Sequence, residues 1–202
     1  AVYLLDKFPE LVGDCCLNGE PSSQHTLRFG EKGILRFKVS VRTPGAHGAY
    51  THLSPSATII AAKIICELQQ ITKITSSIPP AIARWLNAAR SVTDQVLGAG
   101  GADAAQQITL NIGTLHGGDV INLVPAACDI GLDIRLPVGQ AEQPVIDAIQ
   151  AILAKYPEAR LSPMTSAPTL WSDPDGAMAC IIRQRVKMLK GFEPAPIISL
   201  GG

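Results

Sequence analysis

Apolar and polar residues alternate strictly from position 35 to 42: Leu35, Phe37, Val39 and Val41 fall on one face, Arg36, Lys38, Ser40 and Arg42 on the other. A period of two predicts a strand in a half-buried sheet. Each inward side chain stabilises by about 1.5–3 kcal/mol when fully buried, so the register is firmly set. The rhythm then lengthens. Ala57, Ile60, Ala61, Ile64, Ile65, Leu68 and Ile71 make one apolar stripe at helical spacing, with Ser54 placed as N-cap and Pro55 at the first helical position. Alternation returns at Ile108, Leu110 and Ile112, and again at Cys128, Ile130, Leu132, Ile134 and Leu136. A second stripe (Val145, Ile146, Ile149, Ile152, Leu153) predicts a helix ending before Pro157, and a short strand at Arg160-Leu161-Ser162 closes the series.

The order β-α-β-β-α-β specifies a four-stranded antiparallel sheet with both helices on one face, a ferredoxin-like α+β sandwich. The other face is polar and turns to solvent or to a partner. Residues 77–106 interrupt the pattern: Pro79-Pro80 starts an added helix with Ile82, Trp85, Leu86, Ala89, Val92 and Val96 on one stripe, ended by Gly98-Ala99-Gly100-Gly101. That apolar stripe predicts an insertion packed on the sandwich rather than a linker. Neither end belongs to the sandwich. Cys15-Cys16-Leu17 reads as a short buried strand, 174–189 as a helix and Ile197-Ile198-Ser199-Leu200 as another buried strand. The predicted division is therefore 1–30, 31–164 and 165–202, with the middle unit inserted into a partial α/β domain formed by the flanks. Starting without Met and stopping on Gly201-Gly202, the chain reads as the middle of a longer protein.

Composition narrows the function. With 202 residues, 47% of them hydrophobic, the chain can bury a sizeable core. Seventeen basic residues balance seventeen acidic ones, so neither nucleic acid nor an anionic membrane is indicated as a partner. No run of eighteen apolar residues is present to cross a bilayer, and Ala1 to Leu5 lacks the basic flank of a signal peptide. The cysteines (15, 16, 66, 128 and 180) are odd in number and at no zinc spacing. Cys66 and Cys128 read as small buried hydrophobes, and a reducing, cytoplasmic location is expected.

Candidate chemistry concentrates in Thr43-Pro44-Gly45-Ala46-His47-Gly48-Ala49-Tyr50-Thr51-His52, a glycine-rich turn between the first strand and the first helix. It offers two imidazoles on a loop held by rigid elements, where binding and catalytic groups concentrate. Polar residues also populate ordinary turns, and spacing alone does not choose between the two.

Taken in order, Gly19-Glu20-Pro21-Ser22-Ser23, Lys32-Gly33, Gly45-Ala46-His47, Gly117-Gly118, Asn122-Leu123-Val124-Pro125, Asp133-Ile134-Arg135-Leu136-Pro137 and Leu200-Gly201-Gly202 resemble one zinc metallohydrolase family over essentially the whole chain. It is the group of acetylornithine deacetylase, succinyl-diaminopimelate desuccinylase, aminoacylase and glutamate carboxypeptidase. The resemblance implies a catalytic α/β domain with two zinc ions, cobalt or manganese being alternatives, and a ferredoxin-like lid that forms the homodimer. It implies that Glu20 is a metal ligand and that His47 stabilises the oxyanion in the neighbouring subunit's site. Asn122 and Arg135 would hold the substrate's carboxylate end. His52 would hold its loop, and His25 and His116 carry no implied role.

The family's His-x-Asp pair, adjacent glutamates and late histidine ligand do not occur between Ala1 and Gly202. A catalytic zinc needs three or more protein ligands, so the 202-residue chain is expected to be inactive alone and to lack dinuclear zinc. The reading is a fragment of a zinc-dependent deacylase or peptidase that cleaves an N-acyl amino acid or small peptide amide through metal-activated water. The alternative is a non-catalytic dimerisation or ligand-binding module.

Overall fold

A computed structural model describes residues 2–19 and 22–201. The central sheet contains β2 (Gly33–Arg42), β4 (Thr109–Gly117), β6 (Ala127–Leu136) and β7 (Ala159–Ala167), where β1 is Thr26–Glu31, β3 is Ala46–His47 and β5 is Leu123–Val124. Its order is β4-β6-β2-β7, antiparallel throughout. Helices α2 (Ala57–Leu68) and α6 (Gln143–Leu153) pack on one face. The register sets Leu35, Phe37, Val39 and Val41 opposite Ile134, Leu132, Ile130 and Cys128. These side chains, with Ile60, Ile64, Leu68, Val145 and Ile149, make the main core. The βαββαβ sandwich is thus the fold of the central segment, as the periodicity predicts.

Three further helices follow α2: α3 (Pro80–Ala88), α4 (Arg90–Leu97) and α5 (Gly101–Gln106), with α1 at Val2–Lys7 and α7 at Ala177–Lys190. The single helix expected between 79 and 96 is broken at Ala89, and Gly98 and Gly100 turn the chain into α5 with φ of +93° and +83°. These helices do not rest on the sandwich core. Ile82, Leu86 and Ala105 join Phe29, Val138 and Ile198 in a second cluster. Phe29 and Ile198 come from a separate sheet, β8-β1-β9, in which β8 is Leu170–Trp171 and β9 is Ala195–Ser199. There β1 runs parallel to β9 and antiparallel to β8. Trp85 Nε1 donates to Asp175 Oδ2 at 2.9 Å, and the Arg183 guanidinium lies 4.8 Å over the indole ring. The inserted helices are therefore fastened to the flanks.

Other expectations need correction. Cys15-Cys16-Leu17 is exposed and forms no strand, because no ladder partner lies beside it among the described residues. Cys66 is exposed, on the solvent side of α2 with Ile59; Cys128 is buried as expected. The first sandwich helix starts at Ala57, not Pro55: Ser54 Oγ instead accepts from Gly45 N at 3.0 Å, so the residue placed as a cap holds the preceding turn. The apolar side of α7 is not buried, and Met178, Ile181, Met188 and Leu189 are exposed. No helix among the described residues is long and apolar enough to cross a membrane.

Candidate functional site

The predicted site residues occupy two ends of the sandwich. At the first, β3 and β5 form a two-residue antiparallel ladder with His47 opposite Leu123. Gly45 enters this turn with φ of +71°, a conformation that favours glycine. Thr43 N donates to Ala126 O at 2.8 Å, and Gly48 N donates to Asn122 O at 2.7 Å. A side chain at 48 would have no room, since its Cβ would lie 2.9 Å from that same oxygen. His47 is exposed, and its Nδ1 accepts from Ala49 N at 3.2 Å. In the neutral ring this bond leaves the proton on Nε2 and so makes that nitrogen the donor. Asn122 is exposed next to it. His52 is also exposed and stands edge-on to Tyr50 at 6.2 Å, which fits a part in holding the loop.

At the second end, Arg135 alternates with buried Ile134 and Leu136 and so lies on the polar face of the sheet. Its Nε and Nη2 donate to the two carboxylate oxygens of Asp133 at 3.0 and 3.1 Å. Asp133 also meets Arg36 Nε at 3.6 Å. Arg135 Nη1 is buried and has no hydrogen-bond partner among the described residues. It rests against Gly201, whose φ is +99° and where a Cβ would collide with that nitrogen. Next to Arg135 is Lys32, 2% exposed, whose role the sequence did not disclose. The available signal was a lysine and a glycine at the junction of two strands.

The structure separates Arg135 from Asn122. Residues 127 and 135 stand eight apart on β6, roughly 27 Å at strand rise. Asn122 lies beyond the residue 127 end, beside His47. Asn122 and His47 are brought together; Arg135 is not with them.

Glu20, the expected metal ligand, lies outside the described residues. Among the described residues no three His, Cys, Asp or Glu side chains converge to hold a metal ion. The two other histidines have plain surroundings: His25 stacks on Phe192 at 4.6 Å, and His116 lies opposite Asp129 on β4. The Asp129 carboxyl is held well below the usual carboxylate range by hydrogen bonds from Arg42 and then Lys38, on the outer face of the sheet.

Residues 29–160 match the M20 peptidase dimerisation domain. A probable carboxypeptidase of Aspergillus flavus is 30% identical over 136 residues, which is 62% of this chain and 28% of the relative. One from Ajellomyces capsulatus is 34% identical over 142 residues, again 28% of its length. The chain thus spans less than a third of these curated relatives. The M20 family metallo-carboxypeptidase Sso-CP2 from Sulfolobus solfataricus superposes on 100% of this chain and 54% of its own, with a TM-score of 0.74 at 16% identity. The dipeptidase Dug1p from Saccharomyces cerevisiae superposes on 90% of this chain and 45% of its own, with a TM-score of 0.66 at 15% identity. At those identities the likeness is one of fold. The sequence match covers more than half the chain and coincides with the sandwich, so this chain belongs to the M20 metallopeptidase family through its peptidase dimerisation domain.

Proposed function

We propose that this chain is the lid, with adjoining catalytic-domain segments, of a zinc-dependent hydrolase that cleaves a small peptide or an N-acyl amino acid. Residues 31–164 are the lid in this reading, with β7 running on to Ala167, and 1–30 with the rest of 165–202 belong to the catalytic domain, against which α3 to α5 pack. The change of sheet at Lys32 supports that division. Zinc supplies the activated water in such enzymes. Its ligands would include Glu20, and the described residues offer no ligand set of their own. The free cysteines fit a reducing cytoplasm. A carboxypeptidase substrate ends in a carboxylate, as the relatives' names imply, and a guanidinium such as Arg135 suits that group.

The observation that carries the reading is the separation of His47 and Asn122 from Arg135. One sandwich cannot direct both ends at one small substrate. A two-fold dimer can, if each site takes Arg135 from its own chain and His47 with Asn122 from the partner. The edge strand β4 supports such a dimer: among the described residues it is unpaired on one side, and Leu115, Ile59, Ile121 and Leu123 are exposed on and around it. In each site Arg135 orients the carboxylate, and the His47 Nε2–H donates to the developing oxyanion, a contribution of about 10²–10³ in rate.

Mixing tests this arrangement in a catalytically competent protein carrying the sequence. His47→Ala and Arg135→Ala homodimers are each expected to lose most of their activity at substrate concentrations below the unsubstituted KM. A heterodimer of the two has one intact site only if His47 and Arg135 of a site come from different chains, as in the arrangement proposed. Recovery of activity on subunit exchange is the expected result. No recovery would place both residues in the same chain's site, or both in the partner's, and the reading would fall.

A further inference from the structure

Strands β1 and β2 belong to different sheets, and Lys32 is the one residue between them. Its backbone N–H donates to Ser199 O on β9 at 3.1 Å. Its side chain runs the other way, into the protein. There Nζ donates to Ala104 O at 2.6 Å, Gln107 O at 2.7 Å and Thr109 Oγ1 at 3.2 Å. The two carbonyls close the end of α5, and Thr109 opens β4 directly opposite Arg135 in the ladder. A buried ammonium with three neutral acceptors is satisfied in hydrogen bonds but keeps its full charge. Across the ladder from Thr109, Arg135 shares Asp133, its one carboxylate partner among the described residues, with Arg36, and its Nη1, which has no hydrogen-bond partner among them, lies against Gly201.

We propose that Lys32 is the positioning residue of the Arg135 cradle. It ties α5 and β4 to the sheet junction, so that Nη1 is held ready, and its charge makes the cradle receptive to a carboxylate. This rests on the reading above that Arg135 takes the substrate's carboxylate. Two cations held close repel each other, and an anion arriving at Nη1 relieves that repulsion, so Lys32 and the ligand are thermodynamically linked. From β6 the charged groups facing Lys32 are Arg135 and, behind it, Asp133; α5, β4 and β9 turn neutral acceptors toward it, and Glu31 precedes it in the chain. Burial, and secondly the Arg135 guanidinium, bring the Lys32 ammonium down to a pKa of about 8, still charged at neutral pH.

The test is side-chain NMR of the Lys32 and Arg135 signals in this chain, with N-acetylglycine as the carboxylate probe. The expected result has three parts. The Lys32 titration midpoint rises in Arg135→Gln, and it rises in the unsubstituted chain when the probe is added. Lys32→Met weakens the probe's Kd about five- to tenfold, and Lys32→Arg, which keeps the charge, restores most of it. If the probe shifts the Arg135 signal with equal affinity in Lys32→Met, Lys32 is only a structural tie. The proposal is then overturned while the carboxylate reading stands. If the probe moves neither signal, the carboxylate reading itself is wrong and the Lys32 proposal goes with it. Should Lys32→Met fail to fold, the Arg135→Gln midpoint and the Lys32→Arg affinity decide: an unmoved midpoint overturns the proposal.

Discussion

Gly48 and Asn122 meet backbone to backbone: the Gly48 N–H donates to the Asn122 carbonyl at 2.7 Å, where a Cβ on residue 48 would lie 2.9 Å from the same oxygen. This contact seats His47 beside Asn122. Gly48→Ala must push the two segments apart, so it should destabilise the chain by about 1–3 kcal/mol. Urea denaturation checks the stability. In a competent enzyme the same substitution should lower turnover in the manner of His47→Ala, with unchanged metal content.

Arg135→Lys is the sharper probe of the other end. A lysine keeps the charge but not the planar fork that spans both Asp133 oxygens. We expect KM for a carboxylate-bearing substrate to rise at least tenfold and kcat to change little. A fall in kcat with KM unchanged would exclude a ground-state carboxylate role.

The dimer should depend on the β4 edge. Leu115 is 54% exposed on that strand, and Leu115→Glu would set like charges against each other across the proposed interface without entering the core. Sedimentation should show the unsubstituted chain as a dimer and Leu115→Glu as a monomer with unchanged circular dichroism. A monomeric unsubstituted chain at high concentration would remove the lid-dimer proposal.

Lys32 also sets a pH dependence of stability. Its folded pKa, about 8, lies below the ordinary lysine value of 10.5. Between those limits the unfolded chain binds more protons than the folded one, so stability rises with pH in that window. Relative to Lys32→Met, the unfolding free energy should increase by about 2 kcal/mol from pH 7.5 to 9.5. Equilibrium urea curves at the two pH values measure it, and a decrease would contradict the buried charged lysine.

Trp85 should fasten the inserted helices to α7. Trp85→Ala removes both the bond to Asp175 and the surface under Arg183, a loss of about 1–2 kcal/mol. Amide exchange should quicken in 80–88 and 177–190 together, while β2 and β6 keep their protection.

Periodicity alone was enough to reveal the sandwich, because which face of a strand or helix is buried is written locally. Leu35 to Val41 and Cys128 to Leu136 alternate in the chain as they do in the sheet. The ordered motifs likewise carry the family resemblance in the chain itself. Long-range pairing is not written that way. Thr26–Glu31 carries only a brief alternation, and it becomes a strand because Ala195–Ser199, far along the chain, lies parallel to it. The stripe of Ile82 and Leu86 says that a surface is buried but not which one, and the fold gives it to Phe29 and Ile198. Cys66 shows the reverse error: a helix that is apolar on most sides does not announce which side faces solvent. Arg135 and Asn122 both fit a carboxylate by residue type, yet the length of β6 puts them at opposite ends. Lys32 enters the sequence reading only as part of the Lys32-Gly33 motif, with no role attached; the crossing between the two sheets is what buries it against α5 and β4.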